Sequence, residues 1–408
     1  MAEPRIPEGF DFTDPDILVH GVPHEQFAEL RRAAPVWWNP QVRGSAGFDD
    51  DGYWVVTRHA DVMAVSRDSE TYSSWANTAL VRFQPGIPRE QIEWQRLIML
   101  NMDPPHHTKL RAIVSRGFTP RAINALRTAL ALRAERIVRD AAEKGGGDFV
   151  TDVACELPLQ AIAELLGIPQ DDRQKIFDWS NEMIGYDDPE YGMDPIAAAT
   201  ELLAYAMQLA EERKQDPKDD IVTKLVNAQI DGDDLSTDEF GFFVLMLAVA
   251  GNETTRNSIS HGMHAFLQHP DQWELFKGER PKTAVDEIIR WATPVNAFQR
   301  TATVDTTLGG ADIKAGQRVA ICYGSANYDD EVFEEPHRFN VARSPNPHLG
   351  FGGSGAHYCL GANLARLQID LMFNAIADHM PHIAAAASPR PLRSGWLHGI
   401  KELQVTYR

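Results

Sequence analysis

The sequence predicts a mainly α-helical fold carrying small β-sheets. Three observations predict it: five long segments with helical periodicity and recognisable ends, just two strand-like stretches, and no internal repeat or low-complexity tract in 408 residues. At about 150 residues per domain the length allows two or three units. No linker rich in Gly, Ser or Pro marks a boundary, so 1–408 reads as one domain with a large core.

The strand-like stretches are 52–57, which alternates large apolar residues, and 317–323, which puts Val319, Ile321 and Tyr323 on one face. Segments 120–142, 194–214, 236–269, 281–292 and 360–379 read as helices bounded by Pro, Gly or a capping residue. The third dominates. Ser236 and Glu239 form a capping box and Pro270 stops the helix, which at 1.5 Å per residue gives a rod about 50 Å long. Its first half is apolar all round (Phe242, Phe243, Leu245, Met246, Leu247, Val249), so it belongs in the protein centre. Gly251, Asn252, Glu253, Thr254 and Thr255 then interrupt the apolar run. Glycine in a helix costs about 1 kcal/mol relative to Ala, and a buried carboxylate needs a partner or a shifted pKa. Two readings stand: a polar patch emerging at the surface, or a functional site at which local rules are broken.

Composition narrows the classes. With 39 Lys plus Arg against 58 Asp plus Glu the formal charge is −19, which argues against nucleic acid as the main partner. Cys155, Cys322 and Cys359 are odd in number and widely spaced, so neither a disulfide framework nor a Cys-x-x-Cys site is available. The first residues lack the apolar core of a signal peptide, and the longest near-apolar run, 240–251, is shorter than the roughly 20 residues that span a bilayer. A cytoplasmic protein with no membrane span is expected.

Four motifs carry chemistry. Residues 351–361 form a glycine-rich loop with Cys359 directly before a helix. Gly350-x-Gly352-x-x-Gly355 also matches the dinucleotide fingerprint, with Asp370 at the right distance. However, Pro345 and Pro347 stand where a strand is needed and Asp370 falls inside a helix, so that match fails. Cys359 is then either an inert buried residue or a thiolate, favoured by the helix N-terminus and loop N–H groups and suited to a soft metal centre. Glu287 and Arg290 share a helix face; they are either a surface pair or part of a lock in which 333–339 supplies Arg338 to the same carboxylate and braces the cysteine loop. In 103–111, Pro104 and Pro105 start a helix on which His107 and Arg111 lie at i,i+4, placed to clamp a dianionic group. His106 and His107 diverge and share no metal. The fourth motif is the Glu253-Thr254 interruption itself.

In this order the motifs resemble those of the cytochromes P450, and the likeness covers essentially the whole chain. The resemblance implies haem b held between the long central helix and the cysteine loop and helix. Cys359 is then the axial thiolate, with Gly353, Gly355 and Gly361 at family spacing and His107, Arg111, Arg300 and His357 on the propionates. It further implies a monooxygenase using O2, in which Glu253 and Thr254 relay protons and Gly251 leaves room for dioxygen, while Glu287, Arg290 and Arg338 are structural. One position departs: the aromatic seven residues before the cysteine is Gly352 here, and Phe351 lies eight before.

Electrons must come from a partner, since the sequence has no flavin or iron–sulfur segment. Residues 105–127 hold five bases and no acid, while 187–239 hold 15 acids against four bases. The basic run is either a solvated helix face or a docking face for an acidic ferredoxin, itself served by a ferredoxin reductase. The strings at 7–12, 99–103, 248–257 and 392–397 resemble one bacterial branch, the steroid C26 (C27) monooxygenases. That branch implies hydroxylation of the terminal side-chain methyl of cholesterol or cholest-4-en-3-one. Leu80, Val81, Phe83, Met99, Leu100, Val249, Val295, Phe298 and Trp396 then line the sterol pocket, although each also fits a core. The alternatives are a hydroxylase of methyl-branched lipids or terpenoids and a non-catalytic haem-thiolate sensor or carrier.

Overall fold

A computed structural model describes residues 4–191, 194–218, 221–227, 229–230, 233–234 and 236–407. Its architecture follows from the central helix, Thr237–Gln268, whose capping box forms: the Ser236 hydroxyl accepts the Glu239 N–H, and the Glu239 carboxylate accepts the Ser236 N–H. Phe240, Phe243, Val244, Leu245 and Ala248 in its first half and Ile259, Met263 and Phe266 in its second are buried. An amphipathic stripe would not bury so many directions, so helices pack around the rod: Glu156–Leu165, Arg173–Ile184, Pro195–Gln215, Ala284–Ala292 and Ala362–His379. About 52% of the chain is helical, as the sequence predicts.

Segment 120–142 is two helices, Pro120–Ala125 and Arg127–Lys144. Around Leu126 the ladder tightens to i→i−3, its N–H reaching the Ile123 carbonyl at 3.1 Å. The helix expected over 281–292 begins at Ala284.

Five strands make the main sheet, in the order Val36–Pro40, Gly52–Val56, Arg318–Cys322, Ala297–Ala302, Tyr72–Ser73. All neighbours are antiparallel except Gly52–Val56 with Arg318–Cys322. The two predicted strands lie within a residue of their expected ends. Ala297–Ala302 escapes pattern reading because it is almost wholly buried although Gln299, Arg300 and Thr301 are polar. It matters here: Phe298 and Arg300, two apart, share one face of the sheet. No helix among the described residues is long and apolar enough to cross a membrane.

Candidate functional site

The central helix faces a cavity of about 1360 Å³, its mouth included. Leu247, Ala250, Gly251, Thr254, Thr255 and Ser258 of the central helix line it, opposite Phe351, His357, Cys359 and Leu360 of the cysteine loop and Leu364, Ala365 and Gln368 of the following helix. The Thr254 hydroxyl donates to the Ala250 carbonyl at 2.7 Å. Glu253, one residue back, is off this wall. It is 1% exposed, and its Oε1 accepts from Arg256 and from Asn257 Nδ2 at 2.9 Å, while Oε2 is buried without a partner among the described residues. The polar interruption is therefore buried, which removes the surface-patch reading. Gly251 lies on the same wall, where a Cβ would lie 2.5 Å from Ile162 Cδ1, so the glycine also lets the helix Glu156–Leu165 pack close.

The loop before Ala362–His379 carries Cys359, whose N–H donates to the Phe351 carbonyl at 2.9 Å. Glycines let the backbone fold closely here: a Cβ on Gly355, at φ 86°, would meet the Ser66 carbonyl oxygen at 2.3 Å, and one on Gly353 the Ser66 hydroxyl at 2.6 Å. Asp370 lies inside the following helix and no βαβ unit accompanies the loop, so the dinucleotide match is void. Burial pushes the Cys359 thiol up, while the Gly361 N–H, Arg111 and Arg366 pull it back down. The loop and helix terminus thus oppose burial without overcoming it. Cys155 and Cys322 are buried, and burial raises both thiols to about 12.

One edge of the cavity is basic. His107, Arg111, Arg300 and His357 all line it, and the two imidazoles lie 4.2 Å apart. His107 and Arg111 project from one face of the helix His106–Val114, as their spacing predicts. Burial first, then Arg111 and Arg300, hold His107 down to about 4; burial, Arg300 and His107 hold His357 well below the ordinary histidine range. Arg300 is 3% exposed and makes its one side-chain hydrogen bond to the Gln299 carbonyl; no carboxylate among the described residues pairs with it or with Arg111. His107 Nδ1 is buried without a partner. A buried arginine in that state calls for an anion, and the two carboxylates of a haem beside Cys359 would satisfy this set of arginines and imidazoles. Sequence reading missed the supports of this edge: Asp103 accepts the Ser74 N–H at 2.7 Å, and the Ser74 hydroxyl meets His357 Nε2 at 3.2 Å.

Glu287 and Arg290 are fully buried and bidentate, at 2.8 and 2.9 Å. The second arginine on Glu287 is Arg343, at 3.0 Å, and not Arg338, which pairs with Glu335 in solvent. The reason is the turn at Glu335, φ 45°, which sends Arg338 outward; five residues later Arg343 comes back under it, donating to the carbonyls of Glu334, Glu335 and Arg338.

Of the nine expected pocket residues, Met99, Leu100, Val295 and Phe298 line the cavity. Leu80, Val81, Phe83, Val249 and Trp396 do not. Val81 and Trp396 belong to a separate core cluster on which Leu80 and Val249 pack, and Phe83 packs edge-on against Phe48. Trp396 backs the wall by stacking on Phe298. Phe118, Ile162, Met246 and Tyr323 line the cavity unforeseen; Leu247, Ala250, Thr254 and Ser258, spaced three to four apart, form a helical stripe that periodicity reveals. Of the five bases in 105–127, Arg111 turns inward and Arg127 pairs with Asp370, leaving a smaller basic face. Part of the acidic stretch 187–239 lies outside the described residues.

Comparison with known proteins agrees with this geometry. A family model described as "Cytochrome P450" matches residues 282–380, which hold the Glu287 lock and the cysteine loop. The chain is 66% identical over 408 residues to a protein named "Steroid C26-monooxygenase" from Rhodococcus jostii (strain RHA1), covering 100% of this chain and 87% of that one. It is 41% identical over 391 residues to a "Methyl-branched lipid omega-hydroxylase" of Mycobacterium tuberculosis (strain ATCC 25618 / H37Rv), covering 93% and 90%. The solved structure of Mycobacterium marinum cytochrome P450 CYP268A2 in complex with pseudoionone superposes with a TM-score of 0.91 at 39% identity, covering 99% and 100%. With these identities over its full length, the chain belongs to the cytochrome P450 family, whose cofactor is a haem iron.

Proposed function

We propose that the chain is a haem b-dependent steroid monooxygenase that hydroxylates the terminal side-chain methyl (C26/C27) of cholesterol or cholest-4-en-3-one in the cytoplasm. It draws electrons from a ferredoxin and ferredoxin reductase, and all 408 residues act as one catalytic domain. The observation that carries the reading is the convergence of Cys359, the basic edge and Thr254 on one apolar cavity, in a chain 66% identical to a named steroid C26-monooxygenase. Haem bound on a thiolate supplies oxygen activation, because the sulfur pushes electron density toward the iron and favours O–O cleavage.

This chain's residues do the rest. Cys359 would hold the haem iron through its sulfur, with Gly353, Gly355 and Gly361 shaping its loop; His107, Arg111, Arg300 and His357 would hold the propionates. Thr254 offers a hydroxyl on the cavity wall of the central helix, and Glu253, one residue back and paired with Arg256, is the acid that would relay protons toward it. Glu287, Arg290 and Arg343 fix the scaffold from outside the cavity. Met99, Leu100, Val295 and Phe298 exclude water and hold the sterol so that a primary methyl, rather than a weaker secondary C–H, is presented. Electrons arrive at the basic face that includes Arg116 and Arg121.

Because a methyl-branched lipid hydroxylase is 41% identical, that substrate class is the second reading. Titrating cholest-4-en-3-one into the haem-loaded protein, following the spin shift and identifying the product separates the two. Tight sterol binding with a terminal alcohol as product is expected; tighter binding of a branched fatty acid reverses the ranking.

A further inference from the structure

The helix that carries Glu287 inward carries its neighbour Asp286 the other way, toward the cysteine loop. Asp286 Oδ1 accepts from Arg366 Nε at 2.8 Å and from His348 Nε2 at 3.0 Å. Burial alone would raise this carboxyl, but the two hydrogen bonds outweigh it and hold it at about 2. Arg366 comes from the first turns of the helix after the cysteine. Its guanidinium lies 4.5 Å from the centre of the Phe351 ring, whose other neighbours are His348 at 5.7 Å and Tyr358 at 6.4 Å. The Phe351 carbonyl in turn accepts the Cys359 N–H. The ring that stands beside Gly352 is thus flanked by Tyr358 and by a guanidinium and an imidazole that share one carboxylate of the neighbouring helix.

We infer that Arg366, anchored by Asp286 and His348, is a positioning residue for the axial ligand. It fixes Phe351 and hence the Cys359 backbone. The inference rests on the haem-thiolate reading of Cys359. An ordinary half-exposed ion pair would matter little, since such pairs are worth about 0–1 kcal/mol to stability and nothing to a ligand they do not support. Supporting partners of a ligand typically count for about 10–100-fold in metal affinity or activity.

The test uses the full-length, haem-loaded protein, reduced under carbon monoxide. It reads the lifetime of the red-displaced Soret band and, separately, the reduction potential. Arg366→Gln should shorten that lifetime about tenfold and move the potential negative, because a cation that stabilises the added electron is lost. Arg366→Lys keeps the charge but cannot lie flat on the ring or bridge to Asp286 in the same way; it should restore the potential while leaving the lifetime short. Asp286→Asn frees Arg366 without removing its charge; it should shorten the lifetime and, because an anion is lost, move the potential positive rather than negative. This variant decides the matter if Arg366→Gln fails to fold. Wild-type lifetime in Asp286→Asn, or wild-type lifetime and potential in Arg366→Gln, would overturn the inference. If the wild-type protein itself lacks the red-displaced band, the Cys359 reading falls instead, and product identity with sterols bears on neither.

Discussion

Two clusters of basic side chains lie in this molecule and are settled in opposite ways. Around Glu287, Arg290 spends Nε and Nη2 on the carboxylate and Nη1 on the carbonyls of Asn327 and Pro336, with the rings of Tyr328 and Phe333 about its guanidinium. Arg343 completes the set. At the cavity edge, His107, Arg111, Arg300 and His357 crowd one another with no carboxylate paired to them among the described residues. Arg300 is as buried as Arg290 and Arg343; satisfaction differs. A satisfied polar network specifies structure, whereas an unsatisfied one is an unmet demand that a ligand fills. The same chain shows both, which makes the contrast usable for telling scaffold from site.

The contrast breaks first at Glu287. Replacing it by Gln leaves Arg290 and Arg343 buried without a counter-charge, and breaking such a network costs about 3–5 kcal/mol. Chemical denaturation of Glu287→Gln should reveal a loss of that size with or without haem. Removing a cavity-edge cation should act differently. Arg300→Gln relieves the haem-free chain of a buried unpaired charge, so its stability should stay level or rise, while haem affinity falls about tenfold to a hundredfold. The pH dependence sharpens this. In the haem-free fold His107 sits at about 4 against an ordinary 6.5, so the stability it contributes is complete above 6.5 and is lost as pH falls through 4. Arg300 is one of the cations that depress it, so the unfolding midpoint of Arg300→Gln should fall less steeply across that window. An equal slope in both proteins would remove Arg300 from the cluster.

Much of this was legible in the sequence, and the failures share a cause. The capping box and length of the central helix, the cysteine loop and the His107–Arg111 face are local features, set by spacings of three or four residues, and they stand where expected. What eluded sequence reading needs a partner distant in the chain. Val81 and Phe83 look like pocket residues because grease that lines a cavity and grease that fills a core have the same composition. Gly251 packs against Ile162, nearly ninety positions away, a neighbour that no local spacing reveals. Arg300 rides a buried strand that carries too many polar residues to show alternation.

The smallest predicted effect separates the two arginines near the Glu287 lock. Arg338 stands in solvent, paired with Glu335 three residues before it at 3.0 Å, and pairs of this kind contribute about 0–1 kcal/mol. Arg343, at 7% exposure, supplies the second cation to a carboxylate that is wholly buried and ties down three backbone carbonyls on the way. Arg338→Ala should therefore move the unfolding midpoint barely at all, while Arg343→Ala should cost a sizeable part of what Glu287→Gln costs. In a double-mutant cycle with Glu287→Gln, Arg343→Ala should be strongly non-additive and Arg338→Ala additive within about 0.5 kcal/mol. Coupling of Arg338 to Glu287 would mean that the outward turn at Glu335 reverses in solution, and the lock would then be built as the bare sequence suggests.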